Sequence, residues 1–248
     1  MIRPPKKKGI CQFNKPYVRY AGPTGIAATT ASSSNWSGVV DLAAVTYTSI
    51  AAHWTVPTVT GSTVSSMSIW VGMDGWTNGT VEQVGIYASN NGTTTSWFPW
   101  VEYFPDEEEW WDIPTYPIAA GDSIAASLTY AAGTGTFTGN NYFTTTLTNN
   151  TSPRNWTYSA RKSEQAAELE AAQSTTFARN SAQVIVESNG GTLCDYGTVS
   201  FTSIAAAPDN FGTATYITMI NTSTDSTPGQ SSGAPTGGNL TMTWHAYN

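Results

Sequence analysis

The chain is predicted to be all-β, an antiparallel β-sandwich, and three observations predict this. Many short stretches alternate apolar and polar residues with a period of two, and they recur at short, regular spacing. Clusters of Gly, Pro, Asn, Ser and Thr separate them. Aromatic residues reach 12% while charged residues are only 11% of the chain, so the surface is wetted by hydroxyls and amides rather than by ions. Such strands bury one face each when two curved sheets stack as in a jelly-roll or concanavalin-like sandwich. At 248 residues with no obvious internal repeat, residues 32–248 are expected to form one such domain.

The strands follow in order. Residues 35–40 (NWSGVV) open the first, and residues 46–56 form a second, stopped by Pro57. Residues 68–87 (SIWVGMDGWTNGTVEQVGIY) supply two strands around a Gly- and Asn-rich loop. In the second of these, Val81, Gln83, Gly85 and Tyr87 share one face, with Glu82, Val84 and Ile86 on the other. An amide beside a glycine is an odd occupant of a packed strand face, because it needs hydrogen-bond partners when buried. Residues 95–104 put Trp100, Glu102 and Phe104 on one face.

Residues 105–117 (PDEEEWWDIPTYP) read as a loop or hairpin bounded by prolines. An acidic run is ordinarily a solvated face, but the adjacent Trp110 and Trp111 are large apolar groups in a loop, where such groups contact ligands or cover clefts. Residues 122–130, 134–138, 142–147 and 156–159 read as further strands. The Ala/Glu-rich stretch 161–174 predicts the one short helical insertion. Residues 181–188 (SAQVIVES) return to alternation, with Val184 and Val186 on one face and Gln183, Ile185 and Glu187 on the other. Residues 198–204, 213–220 and 240–245 complete the strands, with 221–239 left as a Ser/Thr/Gly/Pro-rich loop.

Charge excludes some functions. Six of the ten cationic residues (Arg3, Lys6, Lys7, Lys8, Lys15 and Arg19) lie in the first twenty positions, leaving 4 basic against 17 acidic residues in the rest, a net of −13. That body has no patch for phosphate backbones, so no nucleic-acid partner is expected. No run approaches a transmembrane length, so no membrane partner is expected either. Residues 1–31 read as a basic leader or the remnant of a pro-segment, without the apolar core of a signal peptide. An acidic body with few ion pairs suits low pH, and the composition suits a secreted monomer. Cys11 and Cys194 make neither a disulfide framework nor a metal site.

Elimination narrows the chemistry. The two histidines, His53 and His245, come with no nucleophile elbow, no HExxH and no zinc-ligand spacing, so no metal or cofactor is expected. Carboxylates and amides on strands remain: Glu187, Glu102 and Gln83 could form a polar floor in an aromatic groove with Trp70.

The chain resembles the glutamic peptidases (eqolisins), in particular their prokaryotic branch. The resemblance rests on Ser34-Asn35-Trp36-Ser37-Gly38, Trp54-Thr55-Val56-Pro57, Trp70-Val71-Gly72-Met73-Asp74-Gly75 and Val81-Glu82-Gln83-Val84-Gly85. It continues through Trp100-Val101-Glu102-Tyr103-Phe104-Pro105, Val184-Ile185-Val186-Glu187, Tyr196-Gly197-Thr198-Val199-Ser200-Phe201 and the closing Thr243-Trp244. It implies a sandwich of two seven-stranded sheets and an endopeptidase that cuts polypeptides at acid pH through Gln83 and Glu187. By the resemblance, Glu187 is the general base and then the general acid, and Gln83 donates to the oxyanion. Trp36, Trp70, Asp74 and Glu102 match cleft-lining positions, and Trp110 and Trp111 fall where the family has a flap. Gln183, Val184 and Tyr87 depart from the family pattern, and residues 161–174 look like an insertion. Two other readings stay open on the residues: a sandwich glycoside hydrolase using Glu102 and Glu187, and a non-catalytic module gripping carbohydrate or peptide with tryptophans.

Overall fold

The computed structural model describes residues 29–104, 109–110, 114–132, 140–164, 177–189, 192–220, 224–228 and 238–246. Among the described residues there are fifteen strands. They are β1 (Thr29–Ser33), β2 (Trp36–Asp41), β3 (Ser49–Thr55), β4 (Val64–Asp74), β5 (Val81–Asn91), β6 (Thr95–Phe104), β7 (Glu109–Trp110) and β8 (Ser123–Ala132). Then come β9 (Asn141–Asn149), β10 (Trp156–Ser163), β11 (Ala182–Glu187), β12 (Thr198–Ala207), β13 (Ala214–Ile220), β14 (Thr224–Pro228) and β15 (Leu240–Ala246).

The strands form a sandwich whose ladder is continuous. One layer runs β10-β9-β8-β3-β12-β15 and the other β13-β2-β11-β4-β5-β6-β7, with β14 bonded to both β15 and β13 as the seam. All of these pairs are antiparallel, while β1 lies parallel to β13. Alternation explains the core. Ile50, Trp54, Leu128, Phe143 and Phe201 come from one layer and Ile69, Val71, Val84, Ile86, Val184 and Val186 from the other, all buried in one cluster. Burying such side chains contributes about 1.5–3 kcal/mol apiece.

The second layer also has an aromatic outer face. Val40, Trp70, Tyr87, Trp100, Ile185 and Ile217 form a separate buried cluster there, flanked by the half-buried Trp36, Trp76, Phe98 and Phe104. The β4–β5 hairpin that feeds this face turns at Gly75, whose φ of 88° needs a residue without Cβ. Gly75 N donates to Asn78 Oδ1 at 2.7 Å to close the turn.

Several expectations change. Residues 161–163 are strand, not the start of a helix: Arg161, Lys162 and Ser163 continue β10 opposite Thr144, Phe143 and Tyr142. These three residues precede the Ala/Glu-rich part of the stretch, and pairing with β9 and the placement of Lys162 over the Tyr103 ring, 4.6 Å from its centre, hold them in the sheet. Most of the remaining insertion, residues 165–176, lies outside the described residues, as does the strand expected at 134–138. The expected loop at 221–239 contains β14, whose Thr224–Pro228 sequence carries no apolar alternation and gains its strand from two partners. β1 spans the expected boundary between residues 31 and 32.

Candidate active site

Register places the two proposed reactive side chains on the aromatic outer face. On β4, Gly72 lies opposite both Gln83 of β5 and Gln183 of β11, and Ser68 lies opposite both Tyr87 and Glu187. Because side chains alternate, Ser68, Trp70 and Gly72 share a face with Gln83, Gly85 and Tyr87 and with Gln183, Ile185 and Glu187. Gln83 and Glu187 therefore stand on the same side of the sheet, on strands separated only by β4.

Trp70 connects them. Its indole Nε1 donates to Glu187 Oε2 at 2.9 Å. The far edge of the same ring lies over Gly72: a Cβ built on Gly72 would sit 3.0 Å from Trp70 Cζ3 and 3.1 Å from the Cβ of Gln83. One indole thus reaches from above Gly72, the residue opposite Gln83, to the Glu187 carboxylate. The glycines beneath are required for this. A Cβ on Gly85 would sit 2.2 Å from the Ile69 carbonyl oxygen and 2.6 Å from the Trp70 Cβ.

The Glu187 carboxylate is held from two sides. Asn35 Nδ2 donates to Oε1 at 3.2 Å, opposite the Trp70 contact. Asn35 is itself set by the Ser33 hydroxyl, which donates to its Oδ1 at 3.1 Å, and by its carbonyl, which accepts from Ser188 N at 2.8 Å. Glu187 is 8% exposed, so it is largely desolvated yet open to the face. Gln83 is 3% exposed, its Nε2 donates to Glu102 Oε2, and its Oε1 is buried without a partner.

The other expected site residues divide. Trp36 packs edge-on against Trp70 at 5.1 Å between ring centres and stacks with Trp76 at 6.4 Å, walling the Glu187 side. Glu102 lies opposite Gln83 on β6. Asp74 is fully buried at the end of β4, with φ of 66°. Its Oδ2 accepts from Arg179 N at 2.8 Å and its Oδ1 from Asn180 N at 2.9 Å. Burial raises its pKa and those backbone donors oppose the rise. Asp74 thus braces the segment entering β11 against the β4–β5 hairpin, and Gln183 Nε2 donates to its carbonyl oxygen. Trp110 lies in β7 opposite Trp100; Trp111 lies outside the described residues.

Asn35 was not anticipated as a site residue, although it adjoins Trp36 in the SNWSG stretch, which was the available signal. His53 is exposed on β3 in the other layer. Cys194 is buried, and burial pushes its thiol up to about 11, which makes it inert; Cys11 lies outside the described residues. Among the described residues no group of three or more His, Cys, Asp and Glu could hold a metal ion, and no helix is long and apolar enough to cross a membrane.

The model of the Peptidase A4 family matches residues 34–244. The chain belongs to that family. Scytalidopepsin B of Scytalidium lignicola is 31% identical over 102 residues, which are 41% of this chain and 37% of that relative, so the match spans little more than a third of the curated protein. Scytalido-glutamic peptidase, solved with a peptide-based transition state analog, superposes with a TM-score of 0.62 at 22% identity, covering 85% of this chain and 98% of that one. A structure of SCP-B, a member of the eqolisin family of peptidases in complex with the tripeptide Ala-Ile-His, superposes equally well, at 0.62 and 22% over the same shares. At that identity the likeness concerns the fold, and the fold of this Peptidase A4 family member is the β-sandwich of those structures.

Proposed function

We propose that this family member is an acid-active endopeptidase in which Glu187 and Gln83 act on one water and one peptide carbonyl. The observation that carries the reading is the shared face: a largely desolvated carboxylate and a buried amide, on the two strands flanking β4, on an aromatic surface able to hold an extended chain. Glu187 takes a proton from water as its oxygen bonds to the carbonyl carbon. The carbonyl π pair moves to oxygen, and an N–H of Gln83 donates to that oxyanion. Glu187 returns the proton to the amide nitrogen, the C–N bond breaks, and acid and amine leave.

Trp70 and Asn35 hold the Glu187 oxygens at fixed positions, which keeps its attacking geometry without adding a cation beside it. Trp36, with Trp110 and Trp111, would contact substrate side chains, while Asp74 serves as a brace. The glycoside hydrolase reading needs Glu102 as a second free carboxyl, whereas Glu102 accepts from Gln83. A low share of charged residues and a cation-poor body support work outside the cell as a monomer at low pH, with residues 1–31 a basic leader or the remnant of a pro-segment.

The test is incubation with denatured casein at about pH 4, near the reference glutamate pKa. Wild type should cleave it and resist pepstatin-type inhibition, and Glu187→Gln and Gln83→Ala should not cleave while melting like wild type. Undiminished proteolysis by Glu187→Gln sinks the mechanism.

A further inference from the structure

We infer that Glu102 is a positioning residue for Gln83: its carboxylate fixes which end of the amide faces the reacting carbonyl. The inference rests on the peptidase reading above and assigns Glu102 a part other than lining the cleft. Three observations carry it. Gln83 and Glu102 are directly opposed on β5 and β6, on the outer face. Gln83 Nε2 donates to Glu102 Oε2 within a region where both side chains are 3% exposed. Gln83 Oε1 is buried and has no partner.

An oxyanion donor made from an amide has a weakness that a backbone N–H lacks. Its nitrogen and oxygen ends are similar in shape, and turning the plane over replaces a donor with an acceptor. An acceptor facing a developing oxyanion repels it. In its ionised form the carboxylate removes this ambiguity because it has no proton to give, so while Glu102 is ionised only the nitrogen end can face it. With one N–H engaged by Glu102, the second N–H of the same planar group points to a defined place. The neighbouring row offers no competing anchor, because the residue opposite Gln83 on β4 is Gly72. Gln183, beyond it, has its own nitrogen turned to the Asp74 carbonyl.

The experiment measures kcat and KM on a fluorogenic peptide at about pH 4, for wild type, Glu102→Ala, Glu102→Leu and Glu102→Gln, with thermal melts alongside. Glu102→Ala and Glu102→Leu lose the acceptor and should lower kcat about 10- to 100-fold, the scale of a hydrogen bond to a charged group, with KM within about 3-fold. The leucine variant fills the volume and keeps the comparison interpretable where the alanine variant melts early. Glu102→Gln keeps an acceptor oxygen but adds an NH2 donor that can bond the Gln83 oxygen in the turned-over orientation, so kcat should recover only in part, to a value between the alanine variant and wild type. Three results overturn the inference: kcat unchanged in the alanine and leucine variants, a rise in KM alone, which marks a substrate contact, or Glu102→Gln with the full kcat of wild type, which shows that an acceptor without a proton to give is not what orients the amide. Absence of peptide cleavage by wild type is a different outcome and overturns the peptidase reading instead.

Discussion

Glu82, the neighbour of Gln83, points the other way on β5, into the space between the layers. There it lies opposite Met73 on β4 and Tyr103 on β6. It is fully buried, and neither carboxyl oxygen has a hydrogen-bond partner. Burial raises its pKa well above the ordinary 4.5, the nearby Asp74 charge raises it further, and Arg179 opposes both. The folded protein therefore holds a proton that the unfolded chain releases near 4.5. Below that pH both states are protonated and full stability is present. As pH rises from there toward the folded-state value, stability falls by up to about 1.4 kcal/mol per pH unit for this one group. Glu82→Gln replaces a neutral acid with a neutral amide of the same shape. At pH 4 the two proteins should agree to within about 1 kcal/mol. At pH 7 the variant should be the more stable, because its side chain has no proton to lose. The assay is urea unfolding followed by tryptophan fluorescence at pH 4, 5, 6 and 7, with stability plotted against pH. Asp41 and Asp74, also raised chiefly by burial, keep a residual slope of the same sign in the variant. An unchanged slope, or a variant weaker than wild type at pH 7, would refute the reasoning.

Other expectations follow from single contacts. Trp70→Phe keeps a ring over Gly72 but removes the donor to Glu187 Oε2, so kcat should fall about 10-fold with KM nearly constant, read on the same peptide. Asn35→Ala frees Glu187 Oε1 and should cost a similar factor, while Asn35→Asp, which sets a like charge beside Glu187, should cost more at pH 5 than at pH 3. Gly85→Ala drives a methyl into the Ile69 carbonyl and the Trp70 Cβ, so it should destabilise by about 1–3 kcal/mol or more, measured by thermal melting. A melt equal to wild type would mean that β4 and β5 can part at that point.

Period-two alternation located most of the strands, because one buried face per strand leaves a visible pattern. β11 is the clearest case: its apolar Val184 and Val186 enter the core, and Gln183, Ile185 and Glu187 form the opposite face. β14 was illegible for the converse reason, since a seam strand can be held by backbone bonds to β13 and β15 without an apolar face of its own. Arg161–Ser163 were placed on the wrong side of the boundary because β10 runs on through eight paired positions to Ser163, just ahead of the Ala/Glu-rich residues. In the site, the resemblance marked Gln83 and Glu187, and alternation gave each its face. The contact between Glu102 and Gln83 was not legible, since it depends on the register of β5 against β6. Nor was the part of Asn35, which lies 152 positions from Glu187 in the chain. Asp74 showed as a matched motif residue, but its engagement by Arg179 and Asn180 appears only when the segment before β11 is in place.

The position of β11 has a consequence in time. β4, β5 and β6 are consecutive and zip up as a local meander, which makes their contacts quick to form. β11 must instead insert between β2 and β4, strands that precede it by more than a hundred residues, after most of the chain has been made. A half-folded molecule can hold Gln83 and the Trp70 ring in order while lacking the base altogether. Under the proposed chemistry, the wedge that completes the sheet also arms the enzyme. During synthesis, the unfolded segments of sister chains would meet molecules that cannot yet cut them.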